Sequence, residues 1–242
     1  MKRLSLVIPA FNEARLLPRL LDSVDAARAR FTGGADAVEV IVADNASTDA
    51  TASMALARGC RVATVATRMI GAARNGGAAL ATAPLLCFVD ADTQIHPDTF
   101  NAIAGALANH RIVGGATGVT LERWSAGIAA TYALMVPLVW LTGMDTGVVF
   151  CHRDDFLRVG GYDESRHYAE DVDFLWKLKR LGWSRRQRLA RLRPVKAVAS
   201  TRKFDRYGDW HYFTLMPAMA AGTFRPRSGG TAAARRYWYE DR

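Results

Sequence analysis

The chain has 242 residues, half of them apolar and 23% charged, which excludes a disordered polymer and allows one large α/β domain or two small ones. Its formal net charge is +9, concentrated late: from Trp176 to the end there are 17 Lys and Arg against 4 Asp and Glu. Cys60, Cys87 and Cys151 are widely spaced and form no CxxC pair, which argues against a disulfide framework or zinc site and for a reducing, cytoplasmic compartment.

The first three residues lead straight into a strand pattern over 4–10, without the apolar core of a signal peptide, and Pro9 marks the strand's end. Phe11-Asn12-Glu13-Ala14 opens a helix with Leu at helical spacing that runs to about Arg30, and 32–34 is a turn. A second strand over 37–43 ends in Asp44-Asn45-Ala46-Ser47-Thr48-Asp49, a loop with an N-cap signal before a helix over 50–58. A strand over 61–66, a helix of small residues over 71–81 and a strand over 85–89 follow. This alternation is that of βαβ units, so a mostly parallel central sheet flanked by helices is expected.

The fourth strand stops abruptly in Asp90-Ala91-Asp92-Thr93. Open α/β sheets bind ligands beyond the carboxyl ends of their strands, and two carboxylates one residue apart repel unless a cation sits with them. A hard divalent ion suits such a pair; the competing reading is a helix N-cap by Asp92 or Thr93.

The second half reads as a helix over 97–108, a glycine-kinked β segment over 112–121 and an uncharged stretch over 124–144. That stretch is long enough to span a bilayer, but Gly127, Pro137 and Gly143 interrupt it. A span there would also place Asp90 and Asp92 on the opposite side of the membrane from the acidic cluster near 170. A buried or half-exposed helix is expected instead, with a membrane surface as its open partner. A strand over 145–151, a turn at 160–164, a helix from about 169 to 181, a strand over 195–199 and a helix over 207–220 complete the pattern. The tail at 223–242 is basic and expected to be loosely held.

Six motifs, Val7-Ile8-Pro9-Ala10-Phe11-Asn12-Glu13, Asp44-Asn45-Ala46-Ser47-Thr48-Asp49, Gly71-Ala72-Ala73-Arg74-Asn75-Gly76, Phe88-Val89-Asp90-Ala91-Asp92, Gly160-Gly161-Tyr162-Asp163-Glu164 and Glu170-Asp171-Val172-Asp173, occur in order across residues 4–182. Together they resemble the inverting family 2 glycosyltransferases of the GT-A fold. The resemblance implies one Rossmann-like GT-A domain over 1–222, with a donor-binding half at about 1–95 and an acceptor-binding half at about 96–222. It implies Mg²⁺ or Mn²⁺ held by Asp92 with Asp90, and a nucleoside-diphosphate sugar, UDP ahead of GDP, as donor. Pro9, Ala10, Glu13, Asp44, Asp90, Ala91 and Asp92 are implied to meet the donor. Arg68, Arg74, Arg202 and Lys203 are candidates for its diphosphate, each weighed against a solvated surface cation.

Asp171 is implied as the general base that takes the acceptor hydroxyl's proton, and Glu170 as the residue that orients the acceptor or supports the fold. The competing reading of the acidic cluster is interaction with a helix dipole. His211 as a further metal ligand is weighed against a structural histidine. The acceptor is not named by the resemblance. The uncharged helix and basic final third raise a lipid-linked acceptor and peripheral contact with the inner face of a membrane, and no nucleic-acid partner is expected. A nucleotide-sugar-binding or membrane-surface protein on an inactive scaffold is the alternative, ahead of a nucleotidyltransferase. A dehydrogenase is disfavoured because no GxGxxG follows the first strand.

Overall fold

The computed structural model describes residues 1–167 and 169–214. The expected tail at 223–242 and the end of the expected helix over 207–220, from 215 on, lie outside the described residues; before that, 208–210 interrupt the helix and 211–214 are helical. Strands β1 (Leu4–Ala10), β2 (Val38–Asp44), β3 (Arg61–Thr64), β4 (Leu85–Phe88), β6 (Ile112–Ala116), β8 (Val149–His152) and β9 (Arg188–Arg191) form a seven-stranded sheet in the order β3-β2-β1-β4-β8-β6-β9. β1 pairs in parallel with β2 and β4, whereas β8 runs antiparallel to both its neighbours. The expected mostly parallel sheet is therefore present, with one reversed strand near its middle.

Every residue of β1 and β2 is buried, as strands covered on both faces must be. Leu4, Leu6 and Ile8 face α1 (Leu17–Arg30), where Leu17, Leu20, Leu21 and Val24 meet them. Val7 faces α3 (Ile70–Leu80) on the other side. There the small residues have a physical reason: a Cβ on Gly77 would lie 2.4 Å from Val7 Cγ1. α1 begins at Leu17, six residues later than the pattern suggested. Pro18 takes its first turn, where a missing N–H costs nothing, and Asn12 adopts a left-handed φ of 53° in the loop before it.

The glycine-kinked segment divides into β6 and β7 (Val119–Leu121), turned at Gly118 with φ 79°. β7 joins β5 (Thr93–Gln94) and β10 (Ala197–Ala199) in a three-stranded sheet ordered β5-β10-β7. This small sheet ties the chain just after Asp92 to the chain just before α8 (Arg202–Tyr207). The uncharged stretch forms α5 (Ala126–Thr142), with the Ser125 hydroxyl accepting from the Ile128 amide and Gly143 ending it at φ 72°. Among the described residues no helix is long and apolar enough to cross a membrane. α7 (Glu170–Ser184) packs Phe174, Leu175 and Leu178 beneath β6 and β8.

Candidate active site

The ends of β1 and β2 lie side by side, with Pro9 opposite Ala43 and Ala10 opposite Asp44. The loops that follow are bonded to each other. Asn12 donates its amide to Ser47 Oγ (3.0 Å) and accepts the Thr48 amide (2.8 Å), while the Glu13 amide donates to Thr51 Oγ1 (2.8 Å). Asn45 donates its side chain to the Val65 and Thr67 carbonyls, closing the third strand's end onto the same edge. Asp44 is buried, and its Oδ1 has no hydrogen-bond partner among the described residues. A buried carboxylate oxygen left this way is a position for a ligand's donor group.

Arg68 is exposed and lays its guanidinium 3.9 Å from the centre of the Phe11 ring. Arg74 has the opposite surroundings. It is buried on α3 and forks between Asp90 Oδ1 (2.8 Å) and Glu170 Oε1 (2.7 Å), with its guanidinium 4.9 Å from the Tyr162 ring. Burial opposes its charge, but Asp90 and Glu170 outweigh that and hold it well above the ordinary arginine range. One cation thus joins the end of β4 to the start of α7.

The next residue locks the same helix to the turn at 160–164. Asn75 Nδ2 donates to the Tyr162 carbonyl and Glu164 Oε1, and its Oδ1 accepts the Tyr162 amide. Gly161, at φ 64°, passes so close that an added Cβ would sit 2.6 Å from Asn75 Oδ1. Tyr162, Phe88, Phe156 and Phe174 then pack as one aromatic cluster of stacked and edge-to-face rings. Two motifs far apart in sequence meet here through specific hydrogen bonds.

Ala91 is buried, and Asp92 accepts Thr93 Oγ1 (3.3 Å) on one oxygen and Arg202 Nη2 (3.1 Å) on the other. Arg202 also grips the buried Glu13 carboxylate with both terminal nitrogens, at 2.7 and 2.6 Å. Burial lowers its tendency to stay charged, and Glu13 followed by Asp92 reverses this and raises it. Lys203 follows in the first turn of α8 and is half-buried. The Ser200 amide donates to the Asp92 carbonyl (3.2 Å), so the β5–β10 pairing is what delivers Arg202.

At the start of α7, Glu170 is buried against Arg74, whereas Asp171 opens into a cleft of about 920 Å³ shared with Arg74 and Asp90. Asp171 Oδ1 accepts the Val172 amide at 2.8 Å. Burial pushes both carboxyls above the ordinary carboxylate range, with Arg74 pulling each back. Ala169, just before them, holds φ 55°, a left-handed conformation uncommon outside glycine. Asp173, the third acidic residue, is spent on Arg166 and Lys177.

Two carboxylates at one strand end fit a hard divalent cation, which takes one or two such groups and completes its shell with phosphate oxygens and water. Among the described residues, no group of three or more His, Cys, Asp and Glu side chains gathers to hold a metal by itself. His211 is buried against Phe204, and its Nδ1 lies 2.7 Å from the Gly208 carbonyl. Sequence reasoning did not single out the cationic cleft residues Arg191, Arg193 and Lys196, which lay within a general basic excess without a motif.

The pattern of glycosyl transferase family 2 matches residues 5–128, just over half of the chain. The chain belongs to that family. It is 38% identical over 111 residues to validoxylamine A glucosyltransferase of Streptomyces hygroscopicus subsp. jinggangensis, an alignment covering 43% of this chain and 25% of that protein. It therefore spans about a quarter of the length of that relative. Among solved structures it resembles TarS 1-349 of S. aureus, in complex with UDP-GlcNAc, with a TM-score of 0.64 and 17% identity over 98% of this chain and 71% of that one. It also resembles the mannosyltransferase PcManGT of Pyrobaculum calidifontis, in complex with GDP-Man and Mn²⁺, with a TM-score of 0.63 and 20% identity over 97% and 69% of the two chains. These likenesses identify the fold as GT-A.

Proposed function

We propose that this family member transfers a sugar from a nucleoside-diphosphate sugar to an acceptor hydroxyl with inversion at the anomeric carbon. The observation that carries the reading is one cleft lined by Asp90, Arg74 and Asp171, beside the Asp92–Arg202 pair. Donor binding belongs to the edge built by 1–95, and acceptor binding to the elements over 96–222. The unpartnered Asp44 oxygen accepts from the nucleotide's base or ribose beside Pro9, Ala10 and Glu13. UDP is the favoured nucleotide, with GDP the other candidate.

Asp92, with Asp90, would hold Mg²⁺ or Mn²⁺. Such an ion, when bound, neutralises charge that grows on the departing diphosphate. Arg202 and Lys203 of α8, together with Arg68, are the proposed contacts for the same charge. Arg74 acts through the carboxylates that it holds.

For the base, the two acidic neighbours differ. Glu170 is tied to Arg74, which leaves Asp171 as the carboxylate facing the cleft. Asp171 takes the acceptor's proton as the acceptor oxygen forms its bond to the anomeric carbon. The bond from that carbon to the diphosphate breaks, and its electrons leave with the diphosphate. A carboxyl raised by burial keeps enough basicity for this step. Three buried cysteines without disulfides agree with a cytoplasmic setting.

The test is calorimetric titration of UDP and GDP, with and without Mn²⁺, on the wild type, Asp92→Ala and Asp171→Asn. Metal-dependent binding of one nucleotide, lost in Asp92→Ala and kept in Asp171→Asn, is expected. Sugar transfer should fall about 10²–10⁴-fold in Asp171→Asn. Absence of nucleotide binding in the wild type under every metal condition overturns the reading.

A further inference from the structure

The cleft beside Asp171, about 920 Å³ in volume, lies near the upper end of the range for small-molecule sites. One wall is α5, which contributes Ile128, Tyr132, Met135, Val136 and Val139, with the Thr131 and Thr142 hydroxyls at its edges. Their spacing of three and four residues places them on one helical face. Val172 and Trp176, one turn apart on α7, continue the apolar lining directly from Asp171. A ligand made mostly of hydroxyl groups would leave many of them unsatisfied against such walls.

The charges in the cleft come from two separate sources. Asp90 follows β4, Arg74 lies on α3 and Asp171 is in the first turn of α7, while Arg191 ends β9, Arg193 and Lys196 lie between β9 and β10, and Asp145 precedes β8. Arg191 pairs with Asp145 at 3.2 Å, and Lys196 Nζ lies 3.3 Å from the neutral Tyr132 hydroxyl. All three cations line the cleft, so this side of it is built with cationic groups. A base at Asp171 serves a neutral nucleophile, because an anionic one would carry no proton for it to remove.

Resting on the transferase reading, we propose that the acceptor is an amphiphilic alcohol that also carries an anionic group. Its hydroxyl meets Asp171, its apolar body lies along α5, and its phosphate or carboxylate is held by the 191–196 segment. Proton and bonds move as in the proposed transfer, with the anionic group taking no part. The absence of charge from α5 then has a use, since its inner face is substrate wall.

The probes are octyl phosphate, octyl glucoside and inorganic phosphate, each titrated calorimetrically into the full chain below any micelle concentration. Octyl phosphate should bind at least about tenfold more tightly than either control, because charge-assisted bonds add to apolar burial. An Arg193→Glu, Lys196→Glu double variant should lose at least about tenfold in octyl phosphate affinity, since both charges reverse. Val136→Glu, which places an anion in the apolar wall, should weaken octyl phosphate as well and stands in if the double variant does not fold. Nucleotide titration on each variant reports that the donor edge is intact. Equal binding of octyl phosphate and octyl glucoside, or equally tight inorganic phosphate, overturns the proposal while nucleotide binding leaves the transferase reading standing. Octyl phosphate binding without any nucleotide binding removes the transferase reading, and the acceptor role falls with it.

Discussion

Arg74 and Glu170 stand 96 positions apart and meet as a buried pair, Nη1 to Oε1 at 2.7 Å. Because the same guanidinium also holds Asp90, the helix of small residues, the acidic strand end and the start of α7 share one cation. Arg74→Lys keeps the charge but loses the fork. It is expected to cost about 3 kcal/mol, in the range for breaking a buried ion pair, read as a lower urea midpoint with unchanged slope.

The same cation bears on pH. Burial raises the Asp171 carboxyl, and Arg74 is the largest influence against it. The acid limb of the transfer rate should therefore lie above the ordinary aspartate value of about 3.9. Removing the cation in Arg74→Met lets that carboxyl rise further, so the limb should move to higher pH. A pH–rate profile of the two proteins checks both statements, and a limb that moves downward would contradict the electrostatic account.

Arg202 satisfies Glu13, which is only 2% exposed, and reaches Asp92 from the same guanidinium. Arg202→Ala strands a buried carboxylate and removes a cation from the proposed diphosphate site. Nucleotide affinity in the presence of Mn²⁺ should fall at least about tenfold, the loss expected for a charge-assisted contact. Restoring the melting temperature with Glu13→Gln in the same chain, without restoring nucleotide affinity, would separate the two roles.

Gly161 carries a left-handed φ of 64° and lies against Asn75, so Gly161→Ala meets both backbone strain and a close contact. The expected loss is about 3 kcal/mol, the sum of a strained φ and a forced side-chain shift. Asn75→Ala relieves the contact, so the double variant should lose less than the two single variants added. Denaturant unfolding of the three proteins measures that coupling.

At the other end of the sheet, Glu39 is buried and accepts Ser5 Oγ (2.6 Å), the Thr82 amide (2.6 Å) and Arg61 (2.8 Å). Burial would raise its carboxyl, but these bonds prevail and hold it at about 2. Its stabilising contribution is complete above the unfolded value of about 4.3 and disappears as pH falls toward the folded one. Glu39→Gln should therefore flatten the acid side of the stability curve between those values, measured by urea unfolding at several pH values.

The strand ends were legible because apolar runs stop abruptly at Asp44 and Asp90, and a single chain direction then places both on one sheet edge. Arg68 and Arg74 were indistinguishable by type. Their fates diverge because glycine packing of α3 on Val7 decides which way Arg74 points. The sequence pattern leaves 200–206 between a strand and a helix, yet 202–207 is helical and is placed by β10, a three-residue strand. β9, with Arg at both ends, has no counterpart in the sequence pattern; it is the edge strand of the sheet, where charge discourages further pairing.

One reversed strand limits how this chain can be divided. β8 enters the sheet between β4 and β6, although sixty positions separate β4 from it in sequence. A fragment cut at residue 128, where the family match ends, would leave Phe88 and Leu86 on a raw sheet edge and Arg74 without Glu170. The proposed donor and acceptor halves are therefore not separable cassettes. Exchanging the second half for that of a relative, in order to change what is glycosylated, means transplanting a central strand of the donor-side sheet as well.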